Sequence, residues 1–81
     1  MDLIEQILIT YPDTVFMIAD GFDEALIGIE EKTMLLVYSK DKCLEILSRR
    51  MEYTDALEKL EYEVNVRYSI PGAPIFINDT F

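Results

Sequence analysis

Three carboxylates gather around a glycine early in the chain, in the run Asp20-Gly21-Phe22-Asp23-Glu24, and two more, Glu30 and Glu31, follow a short apolar stretch. Carboxylates at three-and-four spacing beside a glycine could surround a hard cation, and with Glu30 and Glu31 they could supply the ligands of metal-assisted hydrolysis. The pattern fits a calcium loop poorly, because an EF-hand alternates its acidic residues over twelve positions and ends on a glutamate. Glu24 and Glu30 also lie at opposite ends of one expected strand, and adjacent strand residues point to opposite faces. A solvated acidic turn is therefore the first reading of Asp20, Asp23 and Glu24, with a carboxylate-metal hydrolase as the alternative. No metal or other cofactor is expected.

Other catalytic chemistry is largely excluded by composition. The chain has no histidine, which removes the usual base near neutral pH and every Ser-His or Cys-His nucleophile pair. Its three glycines, Gly21, Gly28 and Gly72, form neither G-x-G-x-x-G nor a P-loop. The single cysteine, Cys43, falls near the start of an expected helix, where the dipole would lower a thiol pKa. On an apolar stripe it reads first as a small core residue. No catalytic residue is assigned.

Charge gives the positive case. The 81 residues carry a net charge of -9, and eight carboxylates precede Lys32, the first basic residue. Such a surface repels phosphate backbones and anionic lipids, so direct binding to nucleic acid or membrane is not expected and a basic protein surface is. Apolar runs such as residues 34–38 fall far short of the roughly 20 residues of a membrane-spanning helix. With one cysteine and no signal-like segment, a reducing cytoplasm is the expected compartment. The acidic side chains Asp55, Glu58, Glu61 and Glu63, with Tyr62 among them, form the candidate partner-binding face. Tyrosine beside carboxylate is a frequent interface anchor, and Tyr62 alone of the five tyrosines is expected to be exposed.

These side chains need a scaffold. The chain length fits a single domain over residues 1–81, which buries only about 60 to 65% of its unfolded surface. Half of the residues are apolar, more than so small an interior can hide, so a homo-oligomer is expected. Asp2 caps a first helix with the stripe Leu3, Ile4, Ile7, Leu8 and Tyr11, stopped by Pro12. Residues 14–19, β-branched and aromatic without a polar alternate, read as a central strand buried on both faces. Residues 25–30 and 33–38 form a hairpin with a four-residue loop, and Gly28 in mid-strand suggests a bulge or a close backbone approach by a neighbour. Asp41 caps a second helix over residues 42–51. Thr54 caps a third, running to about Tyr68, with Tyr53 stapled onto its first turn. Residues 71–74 make a rigid turn before a last strand over residues 75–77. The order α-β-β-β-α-α-β describes an α+β domain, a small and mostly antiparallel sheet with helices packed on one face.

The residues Ala19-Asp20-Gly21-Phe22-Asp23-Glu24-Ala25-Leu26-Ile27-Gly28-Ile29, then Val37-Tyr38, Lys42-Cys43-Leu44-Glu45-Ile46-Leu47, Ala56, Glu61-Tyr62-Glu63-Val64, Tyr68 and Pro74-Ile75-Phe76-Ile77, resemble a group of small proteins found in bacteriophages and prophages. The resemblance covers most of residues 19–77 and implies a phage setting and little more. This chain departs from the group at Glu63, where it has asparagine, and at Val66 and Ile70, where it has glycine. An acidic protein in such a setting is expected to dock on a basic host protein, as an inhibitor of a nucleic-acid-handling or defence system.

Overall fold

The computed structural model describes residues 2–79. The chain runs through α1 (Leu3–Thr10), a 3-10 turn (Asp23–Ala25), β1 (Leu26–Glu30), β2 (Leu35–Ser39), α2 (Lys40–Ser48), α3 (Tyr53–Tyr62), a π-helical turn (Glu63–Arg67) and β3 (Ile75–Ile77). The fold is α+β in the order α-β-β-α-α-β, one strand fewer than expected.

The missing strand is residues 14–19. The run is extended, but Val15 is 97% exposed and no backbone amide from Val15 to Ile18 donates to a partner among the described residues. An apolar run marks burial or extension, whereas a strand also needs a free ladder edge beside it. Here side chains hold the segment instead. Phe16 packs edge-on to Tyr11, and at the far end the Ala19 amide donates to the Tyr38 hydroxyl oxygen (3.0 Å). The next amide, Asp20, donates to the Tyr68 hydroxyl oxygen (3.1 Å). Between those anchors and the 3-10 turn the Phe22 amide returns to the Ala19 carbonyl (3.2 Å). Gly21, at φ +86°, stands at the third position of that turn, where type II geometry requires a positive φ.

The hairpin forms as the sequence predicts, with a four-residue loop. Glu30 organises it, its carboxylate accepting from the Lys32 (2.7 Å) and Thr33 (3.2 Å) amides, and its carbonyl accepting from the Met34 amide (2.7 Å). Met34 takes the positive φ that closes the loop. The expected bulge lies between Leu26 and Gly28, leaving Ile27 as the extra residue. The extra residue restores phase: Leu26 opposite Tyr38 and Ile29 opposite Leu36 both face the core, though they lie three apart.

From β2 the chain passes through α2 and α3 before re-entering the sheet. Two successive helices return it to its starting end, so β3 pairs parallel with β2 while β1 pairs antiparallel, in the order β1-β2-β3. The sheet is thus mixed. Each helix start also differs from expectation. Ser39, two residues before Asp41, caps α2 by accepting from the Lys42 amide (3.1 Å) and donates its own hydroxyl to Asp79 (2.7 Å). Glu52 occupies the cap position of α3 without a side-chain hydrogen bond, Thr54 lies inside the first turn, and Tyr53 is exposed.

One face of the sheet, carrying Leu26, Leu36 and Tyr38, meets Ile7 of α1, Cys43 and Ile46 of α2 and Leu60 of α3 in a single core. Phe76 of β3 stacks on Tyr38 (5.5 Å between centroids) and also meets Tyr68 (5.8 Å). Tyr38 is fully buried, and burial raises its hydroxyl pKa, so the group stays neutral as an acceptor. Replacing Tyr38 with Phe keeps the ring but strands the buried Ala19 amide. We expect Tyr38→Phe to cost about 1–3 kcal/mol, seen as a lower urea midpoint with faster hydrogen exchange at Ala19. An unchanged midpoint and exchange rate would refute this role for the hydroxyl.

Candidate functional site

The acidic turn is dispersed by its partners. Asp20 and Asp23 are exposed, while Glu24 receives two hydrogen bonds from the Arg49 guanidinium (3.2 and 3.1 Å). Arg49 also reaches Glu45 at 3.7 Å. Those hydrogen bonds, and then the charge of Arg49, hold Glu24 below the usual carboxylate range. Glu30 is occupied with its own loop. Among the described residues no group of three or more Asp, Glu, Cys or His side chains is placed to hold a metal ion. Asp20, Asp23 and Glu24 thus do not converge as a set, and Glu24 is engaged by Arg49.

Cys43 decides between two opposing effects. The dipole at the start of α2 favours a thiolate, but the side chain is fully enclosed, and burial pushes the thiol up to about 12. Desolvation wins, and the sulfur is a neutral core atom.

On α3 four of the five candidate side chains lie at the surface. Asp55, Glu58, Glu61 and Tyr62 are exposed, Tyr62 by 53%. Glu63 is not on that face: it is only 3% exposed. Its position follows from helical phase, since Ala56 and Leu60 are the buried residues of α3 and Glu63 extends their stripe at i+7 and i+3. The carboxylate is matched by cations one turn to either side, Lys59 Nζ at 3.1 Å and Arg67 at 3.4 Å. The spacing 59-63-67, a carboxylate between cations at i−4 and i+4, was the signal in the sequence for this arrangement. Tyr53 was also missed as a surface residue; it is 61% exposed.

The helical path past Tyr62 continues as the π turn, closed by the Tyr68 amide donating to the Glu63 carbonyl (2.9 Å). Turns of this kind are uncommon and are frequent at functional sites. Glu63 and Arg67 stand at its two ends. Together with Lys59, Arg50, Asp20 and the Phe22 ring they line a cleft of about 250 Å³ between α2, α3 and the acidic turn.

The outer part of α3 is the opposite in character. Among the described residues, none of Glu52, Asp55, Glu58 and Glu61 makes an ion pair. Lys59, the basic residue within α3, turns toward Glu63 and lies over the Tyr62 ring at 5.7 Å. Tyr53 and Tyr62 stand at the two ends of this bare acidic surface.

No family model, no curated protein and no solved structure matches the chain.

The Glu24–Arg49 pair gives a pH dependence with a defined sign. A carboxylate whose folded pKa is depressed stabilises the fold above its unfolded pKa, and that contribution disappears as pH falls through the folded value. Arg49→Gln should return Glu24 to the ordinary carboxylate range in a carboxyl chemical-shift titration. The stability difference between wild type and variant should be present at neutral pH and vanish in acid. A difference that persists below the carboxylate range would assign it to something other than this pair.

Proposed function

We propose that this protein is a non-enzymatic docking protein that presents the bare acidic face of α3 to a basic protein surface. The observation that carries this reading is the separation of charge on one helix: Lys59 is turned to Glu63, leaving Asp55, Glu58 and Glu61 between Tyr53 and Tyr62, and Glu52 just before them, without an ion pair among the described residues. Carboxylates presented on a rigid helix steer a cationic partner and fix its register, while exposed tyrosines supply contact area at low entropic cost. The phage resemblance supplies the setting, the host cytoplasm. The partner is a basic host protein whose surface otherwise receives nucleic acid, so that occupation by this chain inhibits it.

The test is capture from host lysate on immobilised protein, beside a variant carrying Asp55→Asn, Glu58→Gln and Glu61→Gln. Each change is exposed and keeps side-chain size, so the fold should be retained, as checked by an unchanged thermal midpoint. A captured protein is expected to be basic, to be lost by the variant, and to bind several-fold less as salt rises from low to physiological. Capture indifferent to both changes would refute docking through this face.

A second reading, self-association, has its own observation. Residues 15–18 are apolar and uncharged, and their amides have no partner among the described residues; Val15 is almost entirely exposed, and Ile9 and Ile18 are exposed as well. For a chain of net charge -9, an uncharged segment is where a second copy can approach with least repulsion. Light scattering is expected to return a mass above the 9.4 kDa of one chain, reduced to the monomer by Val15→Glu. A wild-type mass of one chain would end this reading and leave the docking proposal intact.

A further inference from the structure

The basic cleft is a different surface from the acidic face of α3, and its composition runs against that of the chain. Of seven basic side chains in the whole sequence, three, Arg50, Lys59 and Arg67, line this one space, against the two carboxylates of Asp20 and Glu63. Glu63 does not simply cancel them. It is enclosed, and by bridging Lys59 and Arg67 from i−4 and i+4 it fixes both at one edge of the space. An ammonium has three donors and a guanidinium five, so each cation keeps donors after its bond to Glu63. Arg50 makes no ion pair among the described residues, so its planar fork is uncommitted. Phe22, Ile46 and Met51 add apolar lining. The π turn, an uncommon device, carries Glu63 and Arg67 at its two ends.

We infer that this cleft binds a small organic oxyanion, a phosphate or carboxylate head on a compact apolar body. The head lies between the Arg50 fork and the Lys59–Arg67 pair, and the body lies against Phe22 and Met51. Arginine recognises planar and tetrahedral oxyanions through paired hydrogen bonds, which a lysine alone does not reproduce. The volume limits the ligand: about 250 Å³ is below the roughly 300–1,000 Å³ of drug-sized sites, so a single ring or short chain fits and a dinucleotide does not. The net charge of the chain opposes anions at long range. At physiological salt, however, the Debye length is about 8 Å, so distant carboxylates are screened while groups lining the cleft are not.

The test uses the full chain at fixed physiological salt, followed by amide and guanidinium NMR with phenyl phosphate, benzoate, inorganic phosphate and uncharged benzyl alcohol as probes. Saturable shifts at Gly21, Phe22 and the Arg50 side chain are expected with phenyl phosphate or benzoate, and the stronger of the two identifies the head group. Inorganic phosphate should bind more weakly and benzyl alcohol should not saturate. Arg50→Gln should weaken the better ligand at least tenfold, because a paired charged contact is lost. Arg49→Gln makes the same change in net charge one residue away, outside the cleft, and should leave the affinity within about twofold. Both side chains are exposed, and a retained dispersed amide spectrum, unshifted away from the substituted residue, verifies the fold of each variant. No saturable shift with any anion, or equal losses in the two variants, would overturn the inference. Neither result would bear on docking through the acidic face.

Discussion

Two tyrosine hydroxyls determine how the rest of the molecule is arranged. Tyr38 and Tyr68 arrive from different elements, both pack against Phe76, and receive the consecutive amides of Ala19 and Asp20. That grip closes the core over the end of an extended segment that has no sheet partner. It also sets the position of the turn that follows, and through it the 3-10 turn and the start of β1. A neutral buried hydroxyl suits this task because it satisfies a backbone donor without bringing a charge into the core. The π turn belongs to the same arrangement, since its closing hydrogen bond runs from Tyr68 itself.

Charge is sorted by the same scaffold. Arg49 is taken by Glu24, and Lys59 and Arg67 by Glu63, so basic groups are drawn toward particular carboxylates and the outside of α3 keeps its negative potential. Had Lys59 paired outward with Asp55, the helix would present an ordinary mixed surface. Phase along α3 thus produces two neighbouring surfaces of unlike sign from one short stretch of sequence.

Much of the architecture was legible from local rules. Asp2 caps α1 as read, accepting from the Glu5 amide at 3.0 Å, Gly28 marks a bulge, and Gly72 takes the positive φ of the turn before β3. These features depend on residues close in sequence. What was not legible depends on residues far apart. Residues 14–19 look like a strand because their side chains are apolar, but the hydroxyls that hold them lie on Tyr38 and Tyr68, and no periodicity reports a tertiary hydrogen bond. The direction of β3 required knowing that α2 and α3 together form one crossover. Within the candidate site, Asp55, Glu58, Glu61 and Tyr62 were found by polarity alone. Glu63 was misplaced because polarity was weighed above its phase with Ala56 and Leu60.

The enclosed thiol of Cys43 has a consequence for the life of the molecule. While the fold is closed, its sulfur is protonated and sealed from oxidants, and chemical damage passes it by. A copy that opens even briefly exposes a thiol of ordinary acidity, able to cross-link or oxidise and then too large or too polar to return to its place. A modified Cys43 is therefore the mark of a chain that has opened and met an oxidant, while the closed fold preserves the free thiol.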